Sequence, residues 1–272
     1  MTAAVEIDTG TSDLMAERRG RVLVLKMNRP SARNALSLEM IKGLEAQLAG
    51  AEADSSIGCV VLTGADGAFC AGGDVKAMTT AGEDQTGPAW VPRQRHFQRA
   101  TSGKLFLMPK PTIAAINGPA AGAGFSLAMA CDLRTMSADS FLTTAFSKVG
   151  LSGDFGGAYF ATQLLGTAKA RELFYLSERI AAAEALQLGL VNRVLPAEDL
   201  IAATLDLAER LAAGPSIALG FMKENLNRAL MASALECLDV EAALHVASTT
   251  TADHREAAAA FVEKRSPVFS GR

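Results

Sequence analysis

The chain is poor in the residues from which metal centres and disulfide frameworks are built. It holds four cysteines, three histidines and one tryptophan. Cys59, Cys70, Cys131 and Cys237 stand far apart with no CxxC pair, and His96, His245 and His254 form neither HxxxH nor HExxH. These absences argue against a metal site or a disulfide scaffold and point to a reducing, cytoplasmic setting. No run reaches the roughly 18 apolar residues that a membrane helix needs, so no span is expected. The opening stretch MTAAVEIDTGTSDLMAERRG has early acidic residues and no apolar core, unlike a secretory signal. Its first dozen residues are expected to be a loose tail or an edge strand. Positive charge is not in excess. There are 26 Lys and Arg against 29 Asp and Glu, a net charge of −3, and no basic arm. That excludes the usual footprint of nucleic-acid binding. Single lysines or arginines can still hold a phosphorylated ligand, because focusing of the field is a property of a site.

What is present is apolar. About half of the 272 residues are hydrophobic, enough for one large domain or two small ones. The slightly positive mean hydropathy hints at extra buried surface, such as a subunit interface. VLVLKM (22–27), CVVLTG (59–64), TIAAING (112–118) and DLRTMSA (132–138) read as strands, with LVNRVL (190–195) as a later one. Most are continuous apolar runs, the mark of strands covered on both faces by helices. Ser37 is placed to cap a helix over SLEMIKGLEAQLAGAEAD, and apolar spacing predicts another from Gln94 to Leu107. Beyond residue 196 every segment is helical in pattern, and the first of these ends in a glycine followed by Pro215. The expected organisation is an α/β core over 1–195 and a helical subdomain over 196–272, too apolar on several faces to stand alone.

Two small-residue stretches carry chemistry. GAFCAGGDVKAM (67–78) follows the strand CVVLTG, and NGPAAGAGFSLAMACD (117–132) follows the strand TIAAI. Each is a strand, a glycine- and alanine-rich turn and then a helix, so unpaired amides point out where the helix begins. Two such turns converging would stabilise a carbonyl oxygen that becomes negative. Each turn alone also reads as simple tight packing. GAGF lacks the full GxGxxG fingerprint, so dinucleotide binding is not expected.

NRPSARNAL (28–36), VVLTGADGAFCAGGDVKAM, PKPTIAAINGPAAGAGFSLAMACDLR, KVGLSGDFGG and the ending SPVFSGR occur in one order over about residues 15–272. Together they resemble the crotonase superfamily of enoyl-CoA hydratases and isomerases. The resemblance implies an α/β spiral of ββα turns with a C-terminal helical trimerisation region, assembled as a homotrimer or a hexamer of two trimers. It implies an acyl-CoA thioester as substrate, with coenzyme A arriving as part of it and no separate cofactor or metal. It assigns the oxyanion hole to the backbone amides of Ala71 and Ala123, with Gly122 beside them. Gly72, Gly73 and Asp74 would line the CoA channel, and Arg33, Ala35 and Leu36 would border its pantetheine and phosphates. Phe261 and Lys264 would reach the nucleotide end, in some members on a neighbouring subunit. Trp90 and His96 fall in the segment 81–100, which in this family covers the acyl pocket.

The sequence departs from the hydratases at their two glutamates, whose positions hold Ser126 and Phe146 here. Serine and phenylalanine cannot activate water and deliver a proton to the α-carbon. Ser126 reads as a small packing residue, and Asp132 and Asp139 as structural hydrogen-bonding groups. Asp154, in LSGDFGG, is by default a turn residue. Isomerases of this family, including the group that acts on ring-epoxide acyl-CoA in phenylacetate degradation, place an acid–base carboxylate in this turn. Asp154 would then move a proton between C2 and C4 of the acyl chain, with Phe146 and Phe155 as an apolar wall that raises its pKa and excludes water. A hydratase with non-standard residues and a non-catalytic acyl-CoA binding protein are the alternatives.

Overall fold

The computed structural model describes residues 3–80 and 87–272. Its main sheet opens with three antiparallel strands, β1 (Ala4–Ile7), β2 (Leu14–Arg19) and β3 (Val22–Met27). It continues in parallel through β4 (Cys59–Gly64), β5 (Thr112–Ile116), β7 (Leu133–Ser137) and β10 (Arg193–Leu195). β1 is thus the edge strand expected of the first dozen residues. Alternate residues of the central strands enter two different cores. Leu23, Leu25, Val60, Leu62 and Ala114 face one, and Val22, Val24, Cys59, Val61 and Ile113 face the other. Burial on both faces is why these strands read as unbroken apolar runs.

A second, shorter ladder runs beside the main sheet and makes the fold a spiral. β6 (Ala120–Ala121) pairs in parallel with β8 (Phe141–Thr143), which pairs with β9 (Ile180–Ala181). Single bridges extend the ladder backward, Cys70 to Ala120 and Leu36 to Gly73. Each turn is therefore a main-sheet strand, a step through the short ladder and a helix. The helices are α1 (Leu38–Ala53), α2 (Val75–Thr80), α5 (Ala123–Ala130) and α6 (Gly157–Leu176). Ser37 caps α1 through its Oγ, which accepts from the Met40 amide at 3.0 Å. Steps of one to three residues carry too little periodicity to be read from sequence. Gly166, at φ 73°, breaks the pattern of α6 in the same way.

Two sequence expectations change in extent. The helix expected over 94–107 starts earlier, as α3 (Val91–Gln98), and passes through a π-helical turn at Arg99–Gly103 into α4 (Lys104–Leu107). Thr101 and Ser102 bond back to the carbonyls of Phe97 and Gln98 in that turn. The strand expected over 190–195 shortens to 193–195, because Leu190 and Val191 turn back onto the Ala185 carbonyl at the end of α7 (Ala182–Gln187).

The C-terminal helices are α8 (Ala197–Ala212), α9 (Ser216–Arg228), α10 (Ala234–Thr249) and α11 (Ala252–Glu263). α8 forms a wall of the α/β core: Leu205, Ala208 and Ala212 complete the second face of the sheet. α9 is fastened by Lys223, which reaches the Asp132 carboxylate at 2.8 Å and the carbonyls of Leu105 and Lys110. α10 has no fully buried residue. The tail after α11 folds back so that the buried Asp253 carboxylate accepts from the amides of Ser270 and Gly271.

Candidate active site

The site lies where the parallel strands end and the short ladder begins. After β4 the chain enters the turn 70–74; after β5 it enters the turn 119–123. The bridge between Cys70 and Ala120 sets these turns side by side. Gly72 adopts φ +99° and Gly122 φ +54°, conformations that suit glycine. Contact also requires glycine at 72: a Cβ there would lie 2.9 Å from the Ala121 carbonyl oxygen and 3.4 Å from the Ala123 nitrogen. Ala123 is the first residue of α5, and its amide has no backbone acceptor among the described residues. The Ala71 amide is differently placed. It donates to the Arg33 carbonyl at 3.0 Å. A substrate carbonyl would have to share that donor or displace the Arg33 carbonyl from it.

The segment 29–36 forms the outer rim. Arg33 and Asn34 have positive φ, 49° and 58°. The buried Asn34 side chain donates to the carbonyls of Ala65 and Ala68 and accepts from the Arg29 amide. Ala35 and Leu36 are buried, and the Leu36 amide donates to the Gly72 carbonyl at 2.8 Å. The Arg33 side chain is exposed and makes no ion pair among the described residues. Gly73 joins this rim through its bridge to Leu36. Asp74 caps α2 by accepting from the Ala77 amide, and its other oxygen takes a hydrogen bond from Arg29 at 3.0 Å. Both bonds hold the Asp74 carboxyl below the usual carboxylate range. Its carboxylate is thus committed to structure. Arg29, which sequence reading passed over, also donates to the Ala35 carbonyl at 2.7 Å and so braces both sides of the rim.

Asp154 arrives from the far side, on the turn between β8 and α6. Its carbonyl accepts from the Gly157 amide, while its Oδ1 is buried without a hydrogen-bond partner among the described residues. Burial pushes its pKa up to about 6. Its charge also bears on the thiol of Cys70, which burial beneath the first turn already pushes up to about 12. Phe146 joins the pieces. Its ring is 3.7 Å from where a Cβ on Gly122 would be and 4.0 Å from one on Gly153. It stacks on Phe174 with centroids 5.8 Å apart. Phe174, on α6 and unmarked in the sequence, where it is one more apolar position of a helix, thus stands with Phe146 beside Gly153. Phe155 is packed into the main core. Ser126 is fully buried, its Oγ bonded to the Gly122 carbonyl, as the packing reading expects. Asp132 ties Thr112 to Lys223.

Other candidates stay apart from these turns. Phe261 stands 85% exposed on α11, and Lys264 follows as the left-handed cap of that helix. Trp90 stacks against Arg93, and His96 contacts Glu45 at 2.7 Å on α1. Residues 81–86 of the pocket-covering segment lie outside the described residues.

A spiral that presents two helix-initiating turns beside a buried carboxylate defines a crotonase-fold protein. The chain belongs to the enoyl-CoA hydratase/isomerase family, whose model matches residues 17–272. It is 36% identical to the 1,2-epoxyphenylacetyl-CoA isomerase of Escherichia coli K12 over 92% of this chain and 95% of that protein. It is 31% identical to the short-chain-enoyl-CoA hydratase of Clostridium acetobutylicum, over 93% and 96% respectively. The crystal structure of an enoyl-CoA hydratase from Polaromonas sp. JS666 superposes with a TM-score of 0.89 at 34% identity, covering 94% of this chain and 99% of that one.

Proposed function

We propose that this family member is an acyl-CoA isomerase that shifts a carbon–carbon double bond, with Asp154 as its single acid–base group. The observation that carries the reading is the convergence of three features: a desolvated, unpaired carboxylate, two turns of helix-initiating amides, and an aromatic wall where the hydratases have a glutamate. The Ala123 amide, with the Ala71 amide shared or freed from Arg33, holds the thioester oxygen as it becomes negative. Asp154 removes a proton from C2 and returns it at C4. Phe146 and Phe174 keep water from the intermediate, which favours isomerisation over hydration. Coenzyme A enters as part of the substrate. Arg33, Ala35, Leu36, Gly72 and Gly73 line its path, and Phe261 and Lys264 serve the site of a neighbouring copy in a trimer or a hexamer of two trimers. The E. coli relative with isomerase in its name agrees with this reading, and it is Ser126 and Phe146 at the glutamate positions that favour it over the hydratase alternative.

Asp154→Asn tests it against wild type on 3-hexenoyl-CoA and crotonyl-CoA. Wild type isomerises the first and hydrates the second poorly, and the variant loses roughly 100-fold or more of the isomerisation, the scale of a general acid–base. Equal rates in the two proteins would reduce Asp154 to a turn residue. Wild type that binds both thioesters and converts neither would be a binding protein.

A further inference from the structure

We propose that Phe155 is a positioning residue for the Asp154 carboxyl, its buried ring holding the 153–157 turn in the left-handed backbone that aims the carboxyl into the site. The inference rests on the reading of Asp154 as the acid–base group. Phe155 has φ +46°, between Gly153 at +119° and Gly156 at +78°. Glycines take such angles freely, whereas a bulky side chain there is an outlier that persists only when its surroundings dictate it. Here the surroundings are the main core: Phe155 is 3% exposed and belongs to the same cluster as Phe125 and Phe160. Asp154, one residue earlier, faces the opposite requirement, with an oxygen buried and unpaired.

The rest of the turn is clamped so that it cannot slide. A Cβ on Gly153 would lie 3.2 Å from Phe174 Cε1, one on Gly156 2.8 Å from Phe160 Cε2, and one on Gly157 2.3 Å from Ser126 Oγ. Ser126 in turn bonds to the carbonyl of Gly122, so the clamp reaches the oxyanion turn itself. If the ring of Phe155 leaves the core, its φ relaxes to negative values. The preceding peptide then rotates and carries the Asp154 carboxyl toward water. A ring used only as packing would carry no such consequence for Asp154.

The test is carboxyl-carbon NMR of protein labelled at aspartate, with the Asp154 signal assigned by its loss in Asp154→Asn. Wild type titrates near 6 at this signal. Phe155→Leu, which refills the core, keeps that midpoint. Phe155→Ala moves it down toward an ordinary carboxylate. Phe155→Ala also lowers kcat for 3-hexenoyl-CoA by up to about 100-fold, the scale of a catalytic group displaced by an ångström, and leaves crotonyl-CoA affinity within about 2-fold, since the bulk of the ligand contacts lie elsewhere. If Phe155→Ala does not fold, Phe155→Val carries the same expectation, because a β-branched residue resists positive φ. Unchanged midpoints in Ala and Val variants, with Asp154→Asn inactive, overturn the positioning role and leave the acid–base reading standing. An active Asp154→Asn overturns the acid–base reading itself.

Discussion

Asp154 is held in a state that works against the fold. Its ionised carboxyl is desolvated, and among the described residues no cation or amide compensates it. The folded-state pKa, about 6, lies above the ordinary carboxylate value of 3.8. The folded protein therefore binds the proton more tightly than the unfolded chain does. Stability from this group is fully present below the unfolded pKa and is lost as pH rises from about 4 to about 6. Asp154→Asn removes the charge, so it should raise the melting temperature at neutral pH while abolishing turnover. A gain of ~1 kcal/mol corresponds to roughly 2–4 °C for a chain of this size. A calorimetric scan showing a lower melting temperature would place a stabilising partner on the carboxylate. Activity carries the opposite sign. A base must be ionised, so kcat should rise about tenfold per pH unit below 6 and level off above it. A profile flat from pH 4.5 to 8 would point to another group.

At the scale of elements, the site depends on how strands hand over to helices. The turns 70–74 and 119–123 take their positions from one-residue bridges of the short ladder, and Arg29 and Asn34 lock the rim by bonds to backbone carbonyls. The helical region is locked in the same manner. Lys223 is buried and supplies three bonds that join α9 to α4, to Lys110 ahead of β5 and to the end of α5. Lys223→Ala would leave the Asp132 carboxylate with Thr112 as its remaining side-chain partner, take one of two donors from the Leu105 carbonyl and remove the Lys223 bond to the Lys110 carbonyl. The expected loss is about 1.5–3 kcal/mol, the scale of hydrogen bonds to a charged group, because the Asp132 side chain left behind is 27% exposed. Denaturant unfolding measures it, and a loss below 1 kcal/mol would show that α9 is held by its apolar face instead.

For the whole molecule, the unburied apolar surface is concentrated in the last helices. Met231 is 78% exposed, and Leu226, Leu235, Val246, Phe261 and Val262 are also open. Open apolar side chains in this number are the surface that a subunit interface would cover. Together with the proposed place of Phe261 and Lys264 at a neighbour's CoA site, this predicts a trimer or its doubled form. Sedimentation at micromolar concentration should give three or six times the 28.3 kDa chain mass. A stable monomer that still turns over acyl-CoA would remove the neighbour from the site.

The sequence by itself determined the central strands, α1 with its Ser37 cap, the two glycine-rich turns and the run of C-terminal helices. All of these rest on local signals: apolar runs, capping residues and residues that tolerate positive φ. By local signals Asp154 was a turn residue among glycines, and its acid–base role was implied only by the resemblance to the isomerases of this family. Only the tertiary structure decided which groups meet. The short ladder is built from steps of one to three residues, below the length at which periodicity exists. The engagement of the Ala71 amide with Arg33, the bracing by Arg29 and the Phe146–Phe174 stack join residues distant in the chain, and nothing local in the sequence encodes them. The Phe174 ring beside Gly153 has the same cause: it comes from a helix twenty residues further on, and nothing next to Asp154 in the chain marks it.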